Sequence, residues 1–354
     1  METKSDFEKQ VREYAREFGG FLNAHVHGDR AFTYNNEFYR NIGRNVSELD
    51  KLTLREKQSL VWAVHKGKAF HPECIEERMR RLIEDSIKYG VTRLDTTVDV
   101  THNTRFVSFE IADKLKKEYS GKIGIKIGAY NVSGFKDSAP ERFKIFEEAA
   151  QRADFLVALA EKDRKPGHIG ERQHNAYMLN LSLKLNKPVH FHADQANVPE
   201  EHVTSALLED MDYFFDVMHR TKTHPQISVV HFISPSCYSE EDFSKLCDGL
   251  LKHDLSVICC PNAGISMKQE RSKSAPVHNS LARVWDLALK EIPVYLGTDN
   301  VNDIFVPASS PDVFDEVNNL ANILRFYNPR VLAKVACGEK LDDFDRGTIR
   351  RAFS

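Results

Sequence analysis

The chain has 354 residues, of which 41% are hydrophobic and 29% are charged, and its formal net charge is −3 at pH 7. This length suffices for one large domain or two ordinary ones, and the composition is that of a soluble globular protein. The near-neutral charge, without a basic block, argues against nucleic acid or an anionic membrane as a partner, and no apolar run approaches the ~20 residues of a membrane span.

The N-terminal segment predicts a helix over residues 1–19, because residues 7–18 (FEKQVREYAREF) are charged and helix-like. This segment lacks the apolar centre of a signal peptide. Six cysteines occur without a CxxC pair, which argues against a disulfide framework and against a zinc–cysteine site. We therefore expect a cytoplasmic protein.

Short apolar runs rich in Val, Ile and Leu alternate with segments of helical period along the chain. Such runs are typical of parallel strands that are buried on both faces. The eight predicted strands are residues 21–27, 91–98, 123–130, 154–160, 188–192, 227–231, 255–259 and 293–297. The eight predicted helices are residues 74–89, 104–118, 139–152, 174–186, 199–219, 239–252, 279–290 and 311–325.

This alternation predicts an α/β protein built as a single (β/α)8 TIM barrel. The rival fold is an open doubly wound sheet, which needs a phosphate-binding glycine loop after an early strand. Neither GxGxxG nor GxxxxGKS occurs in the sequence. No linker or low-complexity tract divides the chain, so we expect one domain over residues 1–354, with residues 331–354 as a C-terminal extension.

Four of the predicted strands end in residue types that bind metal ions. His25 and His27 end strand 1, and both imidazoles point to the same side because side chains alternate along a strand. His192 ends strand 5, His231 ends strand 6, and Asp299 follows strand 8. Functional residues of such barrels gather at the carboxyl ends of the strands. We therefore expect these side chains to converge on one metal site.

The order and spacing of these residues resemble the amidohydrolase superfamily, and local similarity is closest to its cytosine deaminase branch. The segments that carry the resemblance are HVHGD (25–29), YGVTRLDTTVDVT (89–101), VHFHADQAN (189–197) and GTDNVNDIFVP (297–307). The resemblance spans roughly residues 20–330. Many of these enzymes carry a small β-sandwich built from both termini. We expect this chain to depart from that pattern and to lack the sandwich, as adenosine deaminases do, because strand 1 begins near residue 20 and little chain follows residue 330.

The resemblance also implies one divalent metal ion, Zn²⁺ with Fe²⁺ as the alternative, held by His25, His27, His192 and Asp299. A metal ion lowers the pKa of bound water to about 7, which makes hydroxide available at neutral pH. Asp299 would take the proton of the water and pass it to the leaving group. His231 would stabilise the charge that develops at the electrophilic carbon. The implied reaction cleaves a C–N bond, by deamination or by amide opening.

Two assignments near strand 5 stay open. His190 lies on the same face as His192 and competes with it as a ligand, and we prefer His192 because it lies later in the strand. Gln195 stands where cytosine and adenosine deaminases have the glutamate that protonates the ring nitrogen. Glutamine cannot deliver that proton and can only form hydrogen bonds. Either Asp194 or another carboxylate replaces the glutamate, or the reaction does not need this proton.

The substrate-binding residues are predicted from the loops that follow the strands. Phe305 matches a substrate-flanking aromatic of cytosine deaminases and would stack on a flat ring. Asn300 and Asp194 adjoin the predicted metal site, and Tyr34 in the loop after strand 1 either reaches the substrate or faces solvent. Residues 130–133 lack the glutamine that reads the amide edge of cytosine, which indicates a changed specificity.

The resulting hypothesis is a metal-dependent hydrolase of a small, nitrogenous and heterocyclic compound, with a deaminase-like reaction. The first alternative is an amide or lactam hydrolase that opens a ring at the same metal centre. The second is a catalytically silent metal- or ligand-binding barrel, in which Gln195 marks the loss of activity. We expect a small-molecule substrate and neither nucleic acid nor membrane as a partner, and the sequence leaves a homo-oligomer open.

Overall fold

Eight parallel strands form one sheet in the computed structural model, which describes residues 5–218, 223–268 and 280–353. The strands are β1 Phe21–His27, β2 Val91–Asp99, β3 Gly124–Tyr130, β4 Phe155–Ala158, β5 Val189–Ala193, β6 Ile227–His231, β7 Ser256–Cys259 and β8 Val294–Leu296. Each strand pairs with the next one in the sequence, so the order is β1 to β8. Every strand of the described residues belongs to this sheet. The predicted (β/α)8 barrel is confirmed.

The barrel closes where the chain that follows β8 meets β1. The backbone N–H of His27 donates to the carbonyl of Asp299 at 2.7 Å, and the N–H of Asp299 donates to the carbonyl of His25 at 2.9 Å. Gly297 makes this approach sterically feasible, because a Cβ at this position would lie 2.8 Å from the carbonyl oxygen of His25. Closure therefore places Asp299 directly beside the histidines of β1.

The helices that surround the barrel lie close to the predicted segments. Their bounds are α1 Asp6–Glu17, α2 Val46–Leu49, α3 Leu54–Val64, α4 Pro72–Lys88, α5 Val107–Glu118, α6 Glu141–Arg152, α7 Glu171–Leu185, α8 Val203–Met211, α9 Glu240–Lys252, α10 Pro261–Ile265, α11 Val284–Leu289, α12 Val313–Leu324, α13 Pro329–Cys337 and α14 Asp343–Phe353. Short 3₁₀ helices span Asn36–Ile42, Lys68–Phe70, Ala160–Arg164 and Ser234–Cys237.

Two of the predicted helices are shorter than the sequence indicated. The segment predicted as 199–219 begins only at Val203, and α8 continues into a π-helical turn over Asp212–Met218. Its first residues form a loop instead, because the carboxylate of Glu201 accepts hydrogen bonds from the backbone of Ala196 and the hydroxyl of Ser234. The segment predicted as 279–290 is helical only in α11. Residues 219 and 279 lie outside the described part of the chain.

A helical insertion between β1 and α4, residues 28–71, has no counterpart among the predicted elements. Its helix α3 begins with a capping box in which Thr53 and Glu56 satisfy each other's backbone N–H groups. The buried guanidinium of Arg78 on α4 anchors the insertion by donating to the carbonyls of Asp29, Ala31 and Ala69. The insertion is therefore held firmly over the barrel and can contribute side chains to the site.

The two ends of the chain pack against each other outside the barrel. Helix α1 confirms the predicted N-terminal helix, apart from residues 1–4, which lie outside the described range. Its Arg12 pairs with Glu8 at 2.8 Å and with Asp312 at 2.5 Å, and all three side chains are buried. The segment predicted as a C-terminal extension contains most of α13 together with α14, and α13 contacts α1. Within the described ranges, no helix combines the length and apolarity that crossing a membrane requires.

Candidate metal centre and substrate cleft

The three histidines that were expected as metal ligands lie together. His25 and His27 at the end of β1 and His192 at the end of β5 bring their ligand nitrogens to within 4.8 Å of one another. All three residues are buried. Both ring nitrogens of His25 and Nε2 of His192 have no hydrogen-bond partner, although buried polar atoms are normally paired. A divalent ion between the three rings would bind one nitrogen of each, so the donor set fits the expected metal.

Asp299 lies beside these histidines, where the chain after β8 meets β1. Its Oδ1 lies 3.1 Å from Nε2 of His27 and 3.6 Å from Nε2 of His25. Although burial opposes ionisation, the hydrogen bond with His27 and the nearby imidazoles hold the pKa of Asp299 below its ordinary value. The carboxylate is therefore ionised and is able to bind a cation.

His25 and His192 are neutral, which is the form of histidine that binds metals. Burial lowers the pKa of His25 and of His192 well below the usual value, and the neighbouring imidazoles lower both further. A neutral imidazole offers a lone pair to a cation without losing a proton.

His231 lies at the edge of this cluster. Its Nε2 is 3.2 Å from Nδ1 of His192, and its side chain also lines the neighbouring cleft. Burial lowers the pKa of His231, so the ring is neutral and its N–H can donate to an oxygen or nitrogen in the cleft.

Left-handed backbone marks three of the strand ends that meet here. The φ angles are +55° at Asp194, +83° at His231 and +55° at Asp299. Residues other than glycine seldom adopt this backbone conformation, and such backbone strain is concentrated at functional sites. This backbone conformation therefore occurs after β5, β6 and β8, where the sequence predicted functional residues.

Side chains around the metal ligands fix their orientation. The hydroxyl of Thr97 lies 3.0 Å from Nδ1 of His27, which leaves Nε2 of that ring free to face Asp299. The ring of Tyr130 stacks on His192 at a centroid distance of 5.4 Å and an interplanar angle of 7°. Sequence reasoning assigned no role to Tyr130. Its position as the last residue of β3 was the available signal, since the same rule found the histidines.

Arg30 and Asp99 form a hydrogen-bonded network beside the candidate metal ligands. Arg30 binds Asp99 through two hydrogen bonds of 2.7 and 2.5 Å, and His65 of the insertion reaches the same carboxylate at 2.8 Å. The guanidinium carbon of Arg30 lies 5.5 Å from the centre of the Tyr130 ring. This network ties the insertion to β2 and supports the aromatic residue that packs on His192.

A cleft opens beside the histidine cluster. It is lined by Leu52, Leu54, Lys57, Gln195, His231, Ile233, Ala263, Ser266, Met267, Lys268, Asp299, Asn300, Phe305 and Val306. Five of these were predicted to catalyse or to touch substrate, namely Gln195, His231, Asp299, Asn300 and Phe305. Asp303 shapes the loop after β8, because its carboxylate accepts hydrogen bonds from the backbone N–H of Phe305 and from Asn300. The loop therefore presents Phe305 towards the cleft.

Two predicted substrate-binding residues are not among the described residues that line the cleft. The carboxylate of Asp194 accepts hydrogen bonds from the backbone N–H groups of Val203 and Thr204, where α8 begins. The hydroxyl of Tyr34 donates to Asp50 in the insertion at 2.7 Å. The structure thus gives both side chains partners within the protein. His190 does not join the ligand cluster either, since its ring packs against Phe155 at a centroid distance of 4.3 Å.

Gln195 is hydrogen-bonded to a carboxylate. Its Nε2 donates to Oε1 of Glu161, which follows β4, at 2.7 Å. Burial and the charge of Glu201 raise the pKa of Glu161. With its amide nitrogen bound in this way, Gln195 has its oxygen left to accept a hydrogen bond. The position that carries glutamate in the resembling deaminases therefore has a carboxyl group beside it.

Comparison with known proteins finds relatives at the level of the fold. No family model matches the chain. An uncharacterised protein from Haemophilus influenzae is 26% identical over 278 residues, which cover 78% of this chain and 92% of that protein.

Three solved structures illustrate the likeness. The 5-methylcytosine deaminase of Klebsiella pneumoniae, liganded with 5-fluorocytosine, aligns with a TM-score of 0.73 and 19% identity over 94% of this chain and 82% of that one. N-isopropylammelide isopropylaminohydrolase of Burkholderia multivorans aligns with a TM-score of 0.64 and 14% identity, over 94% of this chain and 82% of that one. Arabidopsis ADAL in complex with IMP aligns with a TM-score of 0.61 and 16% identity, over 96% of this chain and 97% of that one. The chain thus has the barrel fold of these proteins, as its resemblance to deaminases predicted.

Proposed function

We propose that this protein is a metal-dependent hydrolase of the amidohydrolase superfamily that cleaves a C–N bond in a small nitrogenous heterocycle. One observation carries the proposal. Three buried histidines, two of them with unsatisfied ring nitrogens, meet beside the ionised Asp299 at the carboxyl ends of barrel strands. The similar structures support it, since they are named as a deaminase and an aminohydrolase, but their low identity leaves the reaction to this proposal.

The roles of the residues follow from their positions. His25, His27, His192 and Asp299 would hold one divalent ion, with Zn²⁺ preferred because two or more imidazoles and one carboxylate suit it. When bound, such an ion supplies a Lewis acid and lowers the pKa of water to about 7. Asp299 takes the proton of the attacking water and passes it to the leaving nitrogen. The N–H of His231 stabilises the charge that develops at the attacked carbon.

Gln195 determines which C–N bonds suit this site. Because its Nε2 is bound to Glu161, its oxygen faces the substrate as an acceptor. An acceptor suits a substrate nitrogen that already carries a hydrogen, as in a cyclic amide, better than a bare ring nitrogen that needs a proton. This contact favours amide or lactam opening as the second candidate reaction. The retained ligand set argues against a catalytically silent barrel.

The decisive experiment measures metal and reaction together. Purified protein is expected to contain about one zinc or iron per chain by elemental analysis, and His192→Ala is expected to lose that metal. His71→Ala, which changes an exposed histidine, serves as the matched control and should keep the metal. Ammonia release is then assayed across aminopyrimidines, aminotriazines and aminopurines, and ring opening across cyclic amides. A wild-type protein without metal would refute the proposal.

Ammonia from an amino-heterocycle would identify a deaminase, and ring opening without ammonia would identify an amide hydrolase. Metal-replete protein that hydrolyses neither class would favour the silent barrel instead. The cytoplasmic location stays a prediction from the sequence, and the sequence leaves a homo-oligomer open.

A further inference from the structure

A buried lysine faces the candidate substrate cleft. Lys57 lies on α3 in the insertion after β1, and only 7% of the residue is exposed. Its side chain lines the same cleft as Gln195, His231 and Asp299. Lysine is seldom buried to this extent without a partner, because desolvation of the ammonium is costly.

The charge of Lys57 has no ion-pair partner in the described part of the chain. No carboxylate oxygen there lies within 4.0 Å of its ammonium. The two carboxylates whose charge acts on it are already engaged, since Asp50 accepts from Tyr34, and Asp303 accepts from Asn300 and two backbone N–H groups. Burial lowers the pKa of Lys57, and the charges of Asp303 and Asp50 oppose this shift without a direct contact.

Other cations near the cleft differ from Lys57 in this respect. Arg30 is neutralised by two hydrogen bonds with Asp99. Lys268 also lines the cleft but is exposed, so water solvates it. Lys57 is thus a desolvated cation with donor capacity left, at the place where a substrate would bind.

We propose that Lys57 binds an anionic group of the substrate, and that this group is a carboxylate. This inference rests on the proposed function, and it narrows the substrate to a small nitrogenous compound that carries both a hydrolysable C–N bond and a carboxylate. A single ammonium matches one negative charge. A dianionic phosphate is usually held by several N–H donors or by arginine, and the described lining contains no arginine.

The test compares pairs of rings that differ only in a carboxylate. Binding of orotate against uracil, and of 5-oxoproline against 2-pyrrolidone, is measured by isothermal titration calorimetry on metal-replete protein. At least one carboxylated ring is expected to bind about tenfold or more tightly than its neutral counterpart. Lys57→Met should remove that preference, and Lys57→Arg should retain most of it because the positive charge stays.

Lys66→Met is the matched control, since Lys66 follows the same helix, is exposed and stacks on Trp62 instead of facing the cleft. It changes the net charge equally and should leave the preference intact. Circular dichroism and thermal melting establish that each variant is folded. Equal or absent binding of both members in both pairs, or a preference that survives in Lys57→Met, would overturn the proposal. Tighter binding of inorganic phosphate than of either carboxylate would overturn the choice of carboxylate.

The outcomes separate this inference from the proposed function. A preference that depends on Lys57 in a protein that hydrolyses no C–N bond would leave the anion site standing and the hydrolase refuted. Hydrolysis of neutral compounds only, with no effect of Lys57→Met on their KM, would support the hydrolase and refute the anion site.

Discussion

At the scale of single residues, Gln195 and Glu161 form a hydrogen-bonded pair at the cleft. The amide donates to the carboxylate at 2.7 Å, and Gln195 lines the cleft. The amide itself carries no transferable proton at neutral pH. A second carboxyl group placed at this distance would share one proton with the first, because two adjacent negative charges repel each other.

Gln195→Glu is therefore expected to create a general acid. A protonated carboxyl in the cleft could protonate a bare ring nitrogen, and general acid catalysis contributes roughly 10²–10⁴-fold to a rate. We expect the variant to release ammonia from amino-heterocycles at least ~100-fold faster than the wild type. The double variant with Glu161→Gln removes the partner and should lose most of the gain. Unchanged rates with a bound metal would show that proton supply is not what limits these substrates.

At the scale of elements, the strands could be predicted closely and the insertion could not. Each observed strand lies within two residues of its predicted bounds, because parallel strands buried on both faces read as uniform apolar runs. The candidate metal ligands were predicted from the ends of those strands. The insertion has no such period, since it consists of short helices held by caps and by distant groups such as Arg78. Only the Thr53-x-x-Glu56 capping box was a local signal of α3. The exposure of Lys57 to the cleft depends on tertiary packing.

Helix α12 contributes a buried carboxyl group that makes stability depend on pH. Glu316 is fully buried and accepts hydrogen bonds from the backbone and side chain of Asn262, where α10 begins. Burial, together with the charges of Asp315 and Asp299, raises the pKa of Glu316 to about 8, above its ordinary value of 4.5. The folded state therefore holds a proton that the unfolded state releases between these values.

Because the folded state binds the extra proton, the contribution of Glu316 is fully present below pH 4.5 and is lost as the pH rises towards 8. The free energy of unfolding should fall by up to ~1.4 kcal/mol per pH unit in this window. Glu316→Gln is expected to flatten the dependence, as measured by urea unfolding between pH 5 and 8 at constant metal. Glu339→Gln, at an exposed position, is the control and should keep the slope. An identical slope in Glu316→Gln would assign the dependence to other groups.

At the scale of the whole molecule, buried charged side chains link the N-terminal helix α1 to α12 and to the chain after α4. The guanidinium of Arg12 on α1 joins Glu8 on the same helix, Asp312 at the start of α12 and the carbonyl of Tyr89 after α4. The side chains of Glu8, Arg12 and Asp312 are each less than one tenth exposed. These contacts span most of the sequence and involve none of the residues that line the cleft.

Removing the shared cation should therefore affect stability and leave the site intact. Arg12→Met removes the guanidinium from two buried carboxylates, and breaking a buried ion pair in this way costs about 3–5 kcal/mol. We expect that loss in the free energy of unfolding from urea titration, while the metal content per folded chain stays at the wild-type value. Arg350→Met changes an exposed arginine on α14 and should cost less than ~0.5 kcal/mol. If Arg12→Met had the stability of the wild type, or if the folded variant lacked metal, the result would contradict the expectation that Arg12 stabilises the fold without affecting the metal site.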